Sequence, residues 1–186
     1  LVFLFVGGFI IALAIEKWNL HKRVALNIIK FTGTKKSRII LGFMIATAIL
    51  SMFISNTATT IMILPVGMAI ISKVSENKNT DENLNFGKSL MIAIAYSASI
   101  GGMATLIGTP PNMIFAGVVK ESYGIEISML EWSIFGLPVS LFLLTICWIY
   151  LTKIAFSFED KNQISGKQEI NNQLKKLGKF SNEEFK

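Results

Sequence analysis

The chain has 186 residues, 52% of them hydrophobic and 16% charged, with a formal net charge of +6 and a single cysteine. It is more apolar and less charged than an ordinary soluble domain, which excludes a disordered tail, a collagen-like fibre and a disulfide-stapled secreted domain. The basic excess lies beside hydrophobic stretches, so it points to a membrane surface and not to nucleic acid.

The first hydrophobic stretch, Leu1–Ile15, is under way at the first residue and ends at Glu16 and Lys17. It reads as a transmembrane helix shortened at its start, in a chain that is a piece of a longer protein. It has neither the basic flank nor the small-residue cleavage site of a signal peptide. Residues 16–38 carry Lys17, Lys22, Arg23, Lys30, Lys35, Lys36 and Arg38 against Glu16 alone. Interleaved with Trp18, Leu20, Val24, Ile28, Ile29 and Phe31, they predict an amphipathic helix on the cytoplasmic surface. His21 belongs to that interface.

Ile39–Ser72 and Ser89–Val119 contain no charged residue, and both are too long for one span. Thirty-four residues of helix would reach roughly 51 Å, against a hydrocarbon core of about 30 Å. Each is interrupted near its middle, the first by Ser55-Asn56-Thr57-Ala58-Thr59-Thr60. The second is interrupted by Gly101-Gly102 and then by Gly108-Thr109-Pro110-Pro111-Asn112. Tandem prolines stop a regular helix, and unwound backbone at membrane depth survives only inside protein or a water-filled cavity. Two such breaks are a pointer to a transport site. Pro65 reads as a kink near the membrane surface.

The loop 73–88 is balanced in charge, 120–132 is acidic, and the tail 153–186 is basic overall. These signs agree if 39–72 enters and leaves by the cytoplasmic face, either as a re-entrant hairpin or as two tightly joined spans, with Ser-Asn-Thr at the turn. The broken helix 89–119 then runs outward, 120–132 is external, 133–152 returns as a transmembrane helix, and 73–88 and 153–186 are cytoplasmic. Trp132 and Trp148 read as interfacial or packing aromatics, and Cys147 as a buried apolar-run residue.

A helix break gathers the unpaired carbonyls of one half and the unpaired N–H groups of the next. Oxygens around Ser51, Ser55 and Asn56 can hold a hard cation such as sodium. Free N–H groups at Thr57–Thr60, with the Asn56 and Thr57 side chains, can accept an anion. The Gly108–Asn112 break offers a second rim of carbonyls and N–H groups. The three longer stretches lack every ionisable side chain that a proton relay would use. A bound cation therefore needs a bound anion beside it, and the two are expected to couple.

Ser55-Asn56-Thr57 with the following Ala-Thr-Thr, Leu64-Pro65, and Ile107-Gly108-Thr109-Pro110-Pro111-Asn112 resemble the divalent anion:sodium symporter family in order and spacing, as does the EKWNLHKR run after the first span. The resemblance covers about residues 1–152, one of two inverted repeats. It implies an all-α membrane protein, half of an inverted-repeat transporter with a re-entrant helical hairpin and a broken transmembrane helix. It implies sodium-coupled transport of dicarboxylates or a sulfate-like anion across the cell membrane, by a homodimer moving a transport domain against a scaffold. Carried onto these residues, sodium is held by Ser51, Ser55, Asn56 and Gly108, and substrate by Asn56, Thr57 and Thr109. The second repeat, with the other half of the pocket, is not in this sequence. An anion exchanger or arsenite-type carrier is the alternative within transport, and a non-transporting membrane scaffold the alternative outside it. No nucleophile–base pair or metal-ligand cluster marks an enzyme, and no cofactor beyond the coupling sodium is expected.

Overall fold

The computed structural model describes residues 35–75 and 81–156, together with Gly7, Ile10 and Asn27. The expected span 1–15, most of the surface helix 16–38 and the tail beyond Phe156 lie outside the described residues. What is described is all helix and connection: α1 (Lys36–Ser51), α2 (Asn56–Ser75), α3 (Asp81–Met103), α4 (Pro110–Tyr123) and α5 (Met129–Ile149), the last running into a π-helical segment, Tyr150–Ala155.

The helices extend past the charge-free runs at their ends. Lys36 and Arg38 lie in α1, and Asp81, Glu82 and Lys88 in α3. Arg38, Asp81 and Lys88 are exposed, while the buried Lys36 is paired with Asn83 and Glu82. The inner boundaries differ in the other direction. Gly101-Gly102 was expected to interrupt a helix, yet α3 runs through both glycines to Met103, and the break is 104–109. Pro65, expected as a kink, is an exposed position inside α2.

The central helix is α3, which packs against α1, α2 and α5. Its contact with α1 is backbone-close: a Cβ at Gly101 would lie 2.3 Å from the carbonyl oxygen of Ala48 and 2.5 Å from its Cα. Small residues that let backbones approach are the usual means of helix association where water supplies no driving force. Away from this crossing the core is filled by larger side chains. Ile39, Phe43, Ile63, Ile70, Phe86 and Leu90 are all essentially inaccessible.

Hydrogen bonds define the two ends of this bundle. At the base, Lys36 Nζ donates to Asn83 Oδ1 (3.3 Å), and Asn83 Nδ2 donates to the Val74 carbonyl (3.2 Å). The start of α1, the end of α2 and the start of α3 therefore meet. Trp148 Nε1 donates to the Ser37 carbonyl (3.0 Å), bringing the end of α5 there too. At the opposite end α5 is tied to the last turn of α3 by Trp132 Nε1 to Met103 O (3.0 Å) and Ser140 Oγ to Ile100 O (2.9 Å). Both tryptophans thus use their one polar atom on a neighbouring backbone.

Met129–Ala155 is the one helix among the described residues long and apolar enough to cross a membrane. It leaves Ile134, Phe135, Leu141, Phe142 and Ile154 about two-thirds exposed or more. The sixteen residues of α1 reach only about 24 Å, short of a hydrocarbon core of about 30 Å.

Candidate functional site

The two breaks meet at the end of the bundle opposite the base. The first is a tight tip between α1 and α2. The Leu50 carbonyl accepts from both Phe53 N and Ile54 N, and the Ala48 carbonyl from Met52 N. Ser55 then serves as the N-cap of α2, its carbonyl taking Thr59 N (2.9 Å) and its hydroxyl taking Ala58 N (3.3 Å). Ser55 itself is exposed.

Next to this cap, Ser51 and Asn56 bridge the tip. Ser51 Oγ lies 2.7 Å from the Asn56 side-chain amide and 2.7 Å from the Ala98 carbonyl of α3. A serine hydroxyl has one proton to give. With Ala98 O accepting it, the other contact is satisfied when the amide turns its nitrogen toward Ser51, the two ends of an amide being interchangeable in shape. The same amide lies against Gly102, where a Cβ would come within 2.3 Å of Oδ1.

The second break folds onto the first. A Cβ at Gly108 would lie 2.5 Å from the Gly102 carbonyl oxygen and 3.0 Å from the Ser51 carbonyl oxygen. Carbonyl oxygens from both breaks therefore converge where Gly108 has no side chain. Thr105 Oγ1 donates to the Met52 carbonyl, and Gly108 N donates to Thr105 Oγ1 (3.1 Å). Asn112 Nδ2 donates to the carbonyls of Gly102 (3.0 Å) and Thr105 (2.8 Å), holding the loop against the end of α3.

The last turn of α3 is fully capped by these contacts. Ile100 O accepts from Ser140, Gly101 O from Ala104 N, Gly102 O from Asn112 and Met103 O from Trp132. Four carbonyls that a helix end normally leaves unpaired thus all have donors.

The structure brings Ser51, Asn56 and Gly108 together, three of the four residues expected to hold a cation. Ser55 stands beside them as a cap. Of the expected anion-binding residues, Asn56 is half-buried in the tip, Thr57 is exposed in the first turn of α2, and Thr109 is half-buried at the N-cap of α4. Thr109 makes no side-chain cap bond, and its carbonyl accepts Asn112 N (3.2 Å).

The N–H groups are fewer than expected. Ala58 N and Thr59 N are taken by Ser55, and Thr60 Oγ1 donates back to the Asn56 carbonyl (2.7 Å). α4 opens with Pro110 and Pro111, which fit a helix start but carry no N–H. The second break is therefore a rim of oxygens with few donors, and the donors available to an anion lie at the start of α2. Thr47 Oγ1 and Thr59 Oγ1, one turn back from the tip on each arm, are buried with no hydrogen-bond partner among the described residues.

Gly102, Thr105 and Asn112 were not among the expected site residues. The Gly-Gly pair and the Asn after the prolines were visible in the sequence as breakers. Nothing in the apolar run around Thr105 signals its contact with Met52.

Among the described residues no group of three His, Cys, Asp or Glu side chains could hold a metal ion, so the oxygens at the tips are those of hydroxyls, amides and carbonyls. A separate cavity of about 520 Å³ lies between α1, α3 and α5, lined by Ile45, Ile49, Ile100, Leu137 and Leu144 among others. Its one hydroxyl, on Ser140, is spent on Ile100 O, so it offers nothing to bind an ion.

A family model described as a citrate transporter matches residues 1–181 of the chain. A protein of Staphylococcus saprophyticus named sodium-dependent dicarboxylate transporter SdcS is 48% identical over 99% of this chain. The protein of the same name from Staphylococcus aureus strain USA300 is 47% identical over the same share. The chain spans 36% of the length of each.

Proposed function

Because this chain belongs to the citrate transporter family, a family of integral membrane carriers and not of enzymes, we propose that it supplies one inverted repeat of a sodium-coupled carrier of dicarboxylates. The carrier sits in the cell membrane and works as a homodimer. In this reading α1 and α2 are the arms of a re-entrant hairpin, and α3 and α4 the halves of a broken transmembrane helix. The base, with Lys35, Lys36 and Arg38, faces the cytoplasm.

Sodium is held at the junction of the two breaks by oxygens of Ser51, Ser55, Asn56 and Gly108. The substrate carboxylate lies against Asn56, Thr57 and Thr109, and the second repeat completes the pocket. Sodium suits the oxygen-rich junction at Gly108, and the carboxylate suits the donors at the start of α2. The observation that carries the reading is the meeting itself. Two helix breaks more than fifty residues apart in sequence are bonded to each other through Thr105 and Met52, and carbonyls of both face one glycine.

The chemistry also explains coupling. No ionisable side chain stands among the residues that form the junction, so neither ion is neutralised by the protein. Each lowers the cost of bringing the other out of water. The name of the relatives, sodium-dependent dicarboxylate transporter, supports the same pairing of ligands.

The test is uptake of labelled succinate and labelled sulfate by the full-length protein in sealed vesicles, under an inward gradient of sodium or of potassium. Succinate uptake is expected with sodium and not with potassium. Uptake that proceeds equally with both cations overturns the proposal.

A further inference from the structure

The proposed cation site is assembled from two separate breaks, and its oxygens are useful only if those breaks keep a fixed spacing. We infer that Thr105 is the positioning residue that sets this spacing, so that sodium affinity depends on its hydroxyl; the inference rests on the sodium site proposed above.

Three observations carry it. Thr105 is buried in the loop between α3 and α4, and its side chain reaches across to the tip between α1 and α2. Its hydroxyl sits in the middle of a chain, accepting from Gly108 N at 3.1 Å and donating to the Met52 carbonyl. Gly108 and Met52 flank the junction, since the carbonyl of Ser51, the neighbour of Met52, is one of the two that face Gly108. One hydroxyl therefore ties the backbone on both sides of the place where the carbonyls converge. The loop that carries it is held in turn, because the Thr105 carbonyl accepts from Asn112 Nδ2 at 2.8 Å.

Thr105 contributes no oxygen to the cation in this account. Its hydroxyl gives its one proton to the Met52 carbonyl and accepts from Gly108 N, so its part is to tie the two together. Without it, the Met52 carbonyl and the Gly108 N–H lose their shared partner, and the two tips can separate. Ligand geometry held only loosely binds an ion less well, even when every ligand is still present.

The experiment uses the full-length carrier with T105V, which keeps the shape and removes the hydroxyl, and T105S, which keeps the hydroxyl. Succinate uptake is measured against sodium concentration, and membrane abundance is measured in parallel. T105V is expected to raise the sodium concentration for half-maximal uptake by about tenfold, the weight of one to two buried hydrogen bonds. At saturating sodium, its maximal rate per carrier is expected to stay within about threefold. T105S is expected to restore the sodium affinity to within about threefold of the parent. A residue needed only for folding would lower abundance and rate together and leave the sodium affinity of the surviving carriers unchanged.

Should T105V fail to accumulate, T105C takes its place under the same expectation, because a thiol fills the site but donates weakly. Parent-like sodium affinity in the variant that accumulates overturns the inference while sodium dependence in the parent upholds the site. Absence of sodium dependence in the parent overturns the site, and the inference with it.

Discussion

Asn56→Ala should abolish sodium-dependent uptake by the full-length carrier while leaving its abundance in the membrane close to normal. The side chain is half-buried, 2.7 Å from Ser51 Oγ and packed on Gly102. Removing it costs the fold about 1 kcal/mol, since Ser51 keeps its bond to the Ala98 carbonyl. A loss of that size does not unfold a membrane domain. In the proposed site the same amide serves both ligands, its oxygen taking the cation and its nitrogen the anion once the bond to Ser51 is given up. Losing a hydrogen bond or ligand to a charged group is worth about 1.5–3 kcal/mol, and here it is lost twice. Uptake at fixed sodium and succinate is therefore expected to fall by about a hundredfold or more. Uptake within a few-fold of the parent, at equal abundance, would show that Asn56 only ties the tip to Ser51. Asn56→Asp separates the two roles further. A carboxylate there should retain the cation and repel the substrate.

The second large effect divides two adjacent glycines. Gly101→Ala places its methyl 2.3 Å from the Ala48 carbonyl oxygen and 2.7 Å from its carbonyl carbon, all backbone of α1. No flexible group can yield there, so α1 has to withdraw from α3. Overpacking of this kind costs about 1–3 kcal/mol, and more where backbone is the obstacle. The expected result is a marked fall in thermal stability of the purified protein and in its abundance. Gly102→Ala meets the far end of the Asn56 side chain instead, at 2.3 Å from Oδ1. A side chain can swing aside, so the protein should fold nearly normally and lose uptake as Asn56→Ala does. Thermal unfolding in detergent and uptake in vesicles, measured on both variants, resolve the pair. If Gly102→Ala unfolds the protein and Gly101→Ala transports, the helix pairing described above is wrong.

The broken character of the two long stretches was legible because it follows from length and charge alone. An uninterrupted helix of thirty-four residues does not fit the bilayer, and Ser-Asn-Thr and Pro-Pro mark where regular helix gives way. The prolines do start a helix, α4. The Gly-Gly pair was misread because low helix propensity is a weak prior that tertiary contact overrides. Gly101 and Gly102 lie in regular helix, and their lack of side chains is used for approach, to Ala48 and to Asn56. Spacing within one break told nothing of what the other break places against it. The bond from Thr105 to Met52 joins residues fifty-three apart, and only the packing of α1 on α3 makes them neighbours. The N–H supply was overcounted for a related reason. Ser55 was counted as a ligand donor, and its role as a cap consumes two of the four N–H groups expected to be free.

The proposed junction binds a cation and an anion that help each other. Equilibrium binding of succinate to the purified full-length protein, measured in sodium and again in potassium at equal ionic strength, tests it most directly. Coupling between sites of this kind is typically about 5–150-fold in affinity, and it is reciprocal. Succinate is expected to bind more tightly in sodium by a factor in that range, and sodium more tightly by the same factor when succinate is present. Equal succinate affinity in sodium and potassium would contradict it.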